Sequence, residues 1–477
     1  MTTAHTSNVV LVTVDSLRAD ALGAASVGAS TPELDRLARD GVVYENAFAH
    51  GNWTPFSFPA ILGSRPVFAE SSGVGLASTP TLAERFGEAG FRTGGFNAAN
   101  GFLTSHWGYD RGFDEFESFV PEPSSRYGRY LAAHPTVQSW LQLAGSPFRR
   151  GANWLQRGDD DHPFTDTSRM LDVEREATAF VEDGDGPFFL WIHYMDAHTP
   201  YVPAPRYLRA VSGGRIATHR MLRAHVRTGL GWEVDDRTLA DLRTLYAAAV
   251  RQVDDSVGRI RSALDAAGVA DETAIVVAGD HGEEFMEHGH LAHYPKLYDE
   301  LIHVPLVVAA PDGPSGRVEA PVGLDSVPPT ACDLAGVPAA DEWAGESVAD
   351  PGAVVDQSPV VSVTVRGESV TSQPIPRRLD EGDLLASART RDWTLVENRA
   401  TGDRELYYRA EDPGHQSDLH GTDGADDAVV ERLATAIDDH VASIGPADGA
   451  SGAGADDEEH SAVDENLSTR LEALGYR

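Results

Sequence analysis

Two short runs of apolar, mostly β-branched residues, each ending at an acid, limit what this chain can fold into. One is Asn8-Val-Val-Leu-Val-Thr-Val14, which runs straight into Asp15. The other is Thr273 to Val277, which leads into Ala278-Gly279-Asp280-His281-Gly282-Glu283-Glu284. Runs this short, apolar throughout rather than alternating, are the pattern of strands buried on both faces of a parallel sheet. In open α/β sheets ligands gather outside the carboxyl ends of the strands. A carboxylate and an imidazole side by side there, as in Asp280-His281, are what a divalent cation needs. Asp15 alone reads equally well as a helix-capping acid.

The chain has 477 residues, enough for one large α/β domain and a smaller one. It carries 74 acidic against 38 basic side chains, a net charge of −36, and a single lysine, Lys296. Such a surface repels nucleic acid and anionic lipid. The acidic, lysine-poor, Ala- and Gly-rich composition resembles that of proteins from salt-loving archaea, where salt screens the self-repulsion. One cysteine, Cys332, excludes an intramolecular disulfide. The first apolar run meets Asp15 too soon for a signal peptide, and no run reaches transmembrane length, so the expected location is cytoplasmic, without stable membrane insertion. Nothing in the sequence sets an oligomeric state.

Thr31 to Gly41 predicts a short helix capped by Thr31, with Pro32 in its first turn and Leu34 and Leu37 facing the core. A strand follows over Val42–Phe48. Thr54 stands where the next helix begins, with Pro55 preset for the first turn; free backbone amides and the helix dipole suit an anion there. It is a candidate nucleophile or an ordinary N-cap, and Pro59 predicts a bend just after it. The stretch from Val120 to Gly186, spotted with Arg126, Arg129, Arg149, Arg150 and Arg157, either covers a site or forms a solvated face. A helix from Thr165 to about Glu182 precedes the strand Phe188–Tyr194, which delivers Asp196 and His198. Leu239 to Ala267 reads as a long helix with a core-facing stripe, its Asp254 and Asp255 being surface or supporting acids. Leu301–Ala309 reads as one core strand, with His303 as scaffold, and Cys332 as a buried packing residue. Shorter strands, Val360–Val365, Trp393–Glu397 and Glu405–Tyr408, with a helix from about Ala428 to Ile444, form a small C-terminal unit.

Val14-Asp15-Ser-Leu-Arg-Ala-Asp20, Thr31-Pro-Glu-Leu-Asp-Arg-Leu-Ala38, Gly112-Phe-Asp-Glu-Phe116, His193-Tyr-Met-Asp-Ala-His-Thr-Pro-Tyr201, Val253-Asp-Asp-Ser-Val-Gly258, Gly279-Asp-His-Gly-Glu283 and Leu297-Tyr-Asp-Glu-Leu-Ile-His-Val-Pro-Leu306 come in that order. Together they resemble the signatures of the sulfatase-like branch of the alkaline phosphatase superfamily. The resemblance implies a three-layer α/β/α sandwich with a largely parallel central sheet and a small C-terminal α+β subdomain. It divides the chain into a catalytic domain, 1–346, and a subdomain, 347–445; composition makes 446–466 an acidic Gly- and Ala-rich flexible linker, and the helical face shared by Leu467, Leu471 and Leu474 makes 467–477 a docking helix. It implies one divalent cation held by Asp15, Thr54, Asp280 and His281. That donor set is chemically able to hold Ca²⁺, Mg²⁺, Mn²⁺ or Zn²⁺, and the imidazole favours Mn²⁺ or Zn²⁺. His198 falls in the anion pocket, where Asp196 supports it or joins it and His293 in a second cation site. His293 falls where relatives contact the transferred group or protonate the leaving group, with His290 and Lys296 as competitors; Arg18 and Asn100 complete the substrate-binding candidates.

The departures matter more. Sulfatases of this type carry Cys or Ser, oxidised to formylglycine, with Pro two and Arg four residues later; this chain has Thr54, Phe56 and Phe58. Threonine cannot become the aldehyde hydrate. The family's Lys-x-His element is also missing around Asn100. Threonine nucleophiles resemble instead the superfamily's phosphoester hydrolases and its phosphoglycerol or phosphoethanolamine transferases. The expected activity is metal-dependent hydrolysis of a phosphate (or sulfate) ester through a covalent Thr54 intermediate, on a small-molecule or glycan- or lipid-linked anionic ester. The alternatives are a transferase of that type, a true sulfuric ester hydrolase, and a non-catalytic binding descendant.

Overall fold

The computed structural model of the chain describes residues 6–22, 30–70, 73–120, 168–212, 216, 220, 223–224, 227, 234–354, 358–366, 378–379 and 382–444. The five arginines singled out between residues 120 and 186, the start expected at Thr165, the linker 446–466 and the docking helix 467–477 lie outside the described residues.

The strands are β1 (Asn8–Val14), β2 (Val42–Phe48), β3 (Arg92–Asn97), β4 (Glu115–Glu117), β5 (Phe188–Tyr194), β6 (Thr273–Gly279), the hairpin pair β7 (Glu284–Phe285) and β8 (Leu291–Ala292), β9 (His303–Val304), β10 (Leu306–Ala309), β11 (Gly316–Gly323), β12 (Val360–Arg366), β13 (Asp383–Arg389), β14 (Trp393–Asn398) and β15 (Arg404–Tyr408). The helices are α1 (Pro32–Asp40), α2 (Thr54–Gly63), α3 (Leu82–Glu88), α4 (Met170–Glu182), α5 (Pro205–Ser212), α6 (Asp236–Ala267), α7 (Asp299–Ile302), α8 (Val327–Ala335) and α9 (Asp427–Ser443). The main sheet runs β11-β2-β10-β6-β1-β5-β3-β4, with β9 also on β2. Its pairs are parallel except where β10 meets β2 and β6 and where β9 meets β2.

β1 and its neighbours are apolar on both faces because both are covered, as strand alternation shows. Val10, Val12 and Val14 join the core under α4 and α6, while Val9 and Leu11 join the one under α2, α3 and α8. The result is the three-layer α/β/α sandwich. The small antiparallel sheet β12-β13-β14-β15 packs with α9 over a third core that includes Trp53, Phe56 and Phe102. The small sheet therefore rests on the helix that begins at Thr54. Among the described residues no helix is long and apolar enough to cross a membrane.

Pro59 lies inside helix α2. Two local expectations change. The run Leu301–Ala309 is not one strand: α7 ends at Ile302, and Pro305, which cannot donate to a ladder, separates β9 from β10. Thr31 does not cap α1 through its side chain; its hydroxyl bonds to Asp35 Oδ1 at 3.2 Å. Asp254, fully buried on α6, caps that helix instead, accepting from Glu33 N at 3.0 Å and Leu34 N at 2.8 Å. His303 keeps its scaffold place, with Nε2 2.7 Å from Glu45 O, and Cys332 is fully buried.

Candidate active site

Adjacent parallel strands β5, β1 and β6 end at the same edge, where register places Val14 beside Tyr194 and Gly279. Asp15 therefore emerges next to Asp280. Ser16, with φ at +59°, turns its backbone so that its N–H donates to Asp280 Oδ1 at 3.1 Å and its hydroxyl to Asp15 Oδ1 at 3.1 Å. A left-handed serine is uncommon, and the two bonds hold it there. From the α2 side Thr54 Oγ1 lies 3.2 Å from Asp15 Oδ2. Asn100, beyond the end of β3, donates through Nδ2 to Asp15 Oδ2 at 2.9 Å and to Thr54 Oγ1 at 3.3 Å. His281 Nε2 is 3.5 Å from Asp15 Oδ1 and 3.7 Å from Asp280 Oδ2. Asp15, Thr54, Asp280 and His281, four candidates from distant parts of the chain, thus meet around one carboxylate, and all are buried.

Sequence reading missed His193. Its Nε2 is 3.7 Å from Asp15 Oδ2, and ligand atoms of Asp15, His193 and Asp280 all lie within 4.8 Å of one another. The protons on the two imidazoles follow from their partners. Thr13 Oγ1 gives its hydrogen to Ile192 O at 3.3 Å and accepts from Trp191 Nε1 at 3.0 Å, so at 3.0 Å it accepts from His193 Nδ1–H as well. His281 Nδ1–H donates to Gly282 O at 2.9 Å. Both rings therefore turn a lone pair at Nε2 inward. Those two nitrogens and Asp280 Oδ2 are buried with no hydrogen-bond partner among the described residues, an arrangement that costs free energy unless a cation takes them. The residues fit the divalent metal that sulfatase-family enzymes use.

Charge is distributed accordingly. Burial opposes ionisation of Asp15, yet the fields of His198, His281 and His193 hold its carboxyl well below the usual range. Burial and the adjacent Asp15 push Asp280 well above it. Two carboxylates this close share one charge until a positive ion lets both ionise.

His198 and His293 form the second layer, their ring centroids 4.9 Å apart, with His281 5.0 Å from His293. His198 Nδ1 is 2.5 Å from Thr199 O, and Asp196 Oδ1 accepts from Gln252 Nε2 at 2.6 Å. His293 Nδ1 is 3.2 Å from Glu283 Oε2, and Glu283 also accepts from Tyr201 Oη. Burial pushes Glu283 up to about 7. Burial, then the fields of His198 and His281, lower His293 well below an ordinary histidine. The carbonyl of His293 is held by Trp53 Nε1 at 2.6 Å and Asn52 Nδ2 at 3.2 Å, so the loop before Thr54 carries the histidine too.

The remaining candidates separate. Arg18 is committed to protein groups: Nε and Nη2 to Asp20 at 2.8 Å each, Nη1 to Glu283 O at 2.8 Å and Glu287 at 3.0 Å. His290 stacks on Tyr294 at 3.8 Å, and Lys296 Nζ donates to His288 O at 3.2 Å. Ser16, His193, Tyr201 and Glu283 were the residues unread in the sequence. Their only signal was membership of motifs whose other members had been singled out.

A family model for sulfatases matches residues 7–337, and the chain belongs to the sulfatase family. It is similar to the multifunctional alkaline phosphatase superfamily protein PehA of Trinickia caryophylli, 24% identical over 375 residues that cover 65% of this chain and 70% of that one. It is also similar to the uncharacterized sulfatase YidJ of Escherichia coli, 24% identical over 420 residues, 82% and 78% of the two chains. Among solved structures, the phosphonate monoester hydrolase SpPMH from Silicibacter pomeroyi superposes with a TM-score of 0.68 at 21% identity, covering 92% of this chain and 95% of that one. The phosphonate monoester hydrolase of Agrobacterium radiobacter does so at 0.66 and 21%, covering 91% and 96%. The chain is an ester hydrolase of this family.

Proposed function

We propose that the chain hydrolyses a phosphorus ester by way of a covalent phosphothreonine at Thr54. The observation that carries this reading is the Thr54 hydroxyl, 3.2 Å from Asp15 and 3.3 Å from the Asn100 amide at the amino end of α2, where a sulfatase would need an oxidisable Cys or Ser. Solved structures similar to this chain include proteins named as phosphonate monoester hydrolases and proteins named as sulfatases, so the choice of phosphorus rests on the threonine itself.

In this reading Asp15, Asp280, His281 and Thr54, with His193 added, hold one divalent cation, and two imidazoles favour Zn²⁺ or Mn²⁺ over Ca²⁺ or Mg²⁺. When bound, the cation supplies positive charge that lowers the pKa of the Thr54 hydroxyl and offsets charge on the ester oxygens. Thr54 Oγ attacks phosphorus in line, and the bond to the alcohol oxygen breaks with its electron pair. Asn100 Nδ2 and the amino end of α2 offer donors to the phosphoryl oxygens. The His198–His293 pair takes the Thr54 proton and gives one to the departing alcohol, then takes a proton from the water that attacks phosphothreonine and returns it to the Thr54 oxygen as its bond to phosphorus breaks. An ester anion seated beside these rings counters the depression that burial imposes on His293. Residues 1–346 carry this chemistry, residues 347–445 support it, and the acid-rich surface suits a high-salt cytoplasm.

A panel of phosphate monoesters, phosphodiesters, phosphonate monoesters and sulfate esters, assayed in high salt with several cations against a Thr54→Ala control, tests the reading. Phosphorus esters are expected to turn over only with Thr54 intact; preferential sulfate turnover would overturn the proposal.

A further inference from the structure

His293 is held at both of its ends. Its carbonyl accepts from Trp53 Nε1 and Asn52 Nδ2, and its ring turns Nδ1 to Glu283 Oε2 at 3.2 Å. Glu283 is placed as firmly: its N–H donates to Glu300 O at 2.9 Å, and its carbonyl accepts from Arg18 Nη1 at 2.8 Å. The other carboxylate oxygen, Oε1, accepts from the Tyr201 hydroxyl. Tyr201 in turn packs against Tyr246 and Phe285, with ring centroids 5.6 and 6.0 Å away. All three side chains are buried, Glu283 fully.

A fully buried carboxylate is costly even when hydrogen-bonded. The basic partner of this one is an imidazole, neither an arginine nor a lysine. The two members of the histidine pair therefore differ. His198 Nδ1 faces a backbone carbonyl, Thr199 O, at 2.5 Å, whereas His293 Nδ1 faces a carboxylate. A carbonyl fixes the plane of a ring; a carboxylate also steadies the positive charge an imidazole carries just before it gives up a proton. With Nδ1 engaged by Glu283, proton transfer to a substrate oxygen falls to Nε2 of His293.

We propose that Glu283, braced by Tyr201, is the positioning residue that makes His293 the proton donor to the departing alcohol, and that the site is built for esters of unactivated alcohols, which leave only with a proton. This role rests on the phosphoester reading above and narrows its substrate class. As the phosphorus–oxygen bond breaks with its electron pair on the alcohol oxygen, the Nε2 proton of the His293 imidazolium passes to that oxygen, and the ring is left neutral with its Nδ1–H still donating to Glu283.

The test compares nitrophenyl phosphate, whose alcohol leaves as a stable anion, with phenyl phosphate, whose alcohol needs the proton more. Glutamine at position 283 keeps the shape but offers one acceptor and one donor where Tyr201 and His293 present two donors. Glu283→Gln should lower kcat for phenyl phosphate about 100-fold, and at least about tenfold more than for nitrophenyl phosphate. Tyr201→Phe, which leaves the carboxylate paired with His293, should shift that ratio the same way by less, and it carries the test if the Gln protein does not fold. In a His293→Asn background Glu283→Gln should cost no more than about twofold, because a residue that acts through His293 then has nothing left to position. The cation Kd, read by equilibrium dialysis, should move less than about threefold. Equal losses on the two esters, an undiminished loss in the His293→Asn background, or a weakened cation site overturns the role, since each marks Glu283 as scaffold; an unmoved ratio in Tyr201→Phe removes the brace. The matching sulfate esters separate this role from the reading beneath it. A leaving-group-selective loss on sulfate esters, with phosphate esters not turned over by the native protein, sinks the phosphoester reading and leaves Glu283 in place; phosphate turnover with equal losses does the reverse.

Discussion

Thr54 brings its hydroxyl to a carboxylate and an amide, and the chemistry proposed here is concentrated in that one oxygen. Thr54→Ala should lower kcat by at least about 10³-fold, whereas Thr54→Ser should keep measurable turnover. Rapid acid quench followed by mass spectrometry should find phosphate on the peptide containing Thr54 and on no other; phosphate elsewhere, or full activity without the hydroxyl, would refute the assignment. His193 offers a separate check on the cation. His193→Gln should weaken cation binding, and Thr13→Val, which removes the acceptor that fixes the ring, should raise the cation Kd about tenfold. Equilibrium dialysis reads both, and unchanged affinity in the pair would remove His193 from the site. Thr54, Asp15, Asp280 and His281 were legible because each ends a strand or begins a helix in a recognisable pattern. His193 sits inside a buried apolar strand, and only the pairing of β1 with β5 places Thr13 beneath it.

Helix α1 shows what a pattern can and cannot say about an element. Pro32, Leu34 and Leu37 announce the helix, but Thr31 leaves its amides to Asp254, which lies 221 residues from Glu33 and 220 from Leu34. Asp254→Ala should cost about 2 kcal/mol, because two amides at the start of α1 lose their acceptor. Asp254→Asn, which keeps an oxygen there, should cost less than half as much. Urea denaturation measures both; equal losses would mean that the carboxylate acts through Arg251, 2.8 Å away, rather than as a cap. Sequence made Asp254 a surface or supporting acid, since nothing local tells a capping acid of a distant helix from a solvated one. The break at Pro305 was readable in principle, for proline has no ladder donor.

At the scale of the whole molecule, a buried ionic cluster ties the small sheet to the large one. Arg389, fully buried on β13, reaches Asp299 Oδ1 at 3.1 Å, and Arg409 reaches Oδ2 at 2.8 Å and Asn46 of β2 at 2.9 Å. His415 lies against the same carboxylate, 3.6 Å away, with its ring on Tyr407. Burial, with Arg389 and Arg409 opposing Asp299, pushes the His415 pKa down to about 4. An unfolded histidine titrates near 6.5, so between about pH 6.5 and 4 the unfolded chain binds a proton that the native one refuses. Stability should therefore fall as pH drops through that window, by about 3 kcal/mol from this residue. His415→Asn should flatten the acid side of the stability curve; identical slopes for the two proteins would show that the imidazole is not held neutral.

The sequence by itself determined the layers of this protein, since apolar strand runs and helix stripes report which faces must leave water, and each strand's closing residue comes with its run. It also put a threonine, which cannot become formylglycine, at the position proposed for the nucleophile. Only the tertiary structure decided which of those endings become neighbours, because strand order and parallel register are set by contacts between residues hundreds apart. That is why His193, the Asp254 cap and the bond from Tyr201 to Glu283 were invisible in one dimension: each depends on an atom whose partner lies far along the chain and close in space.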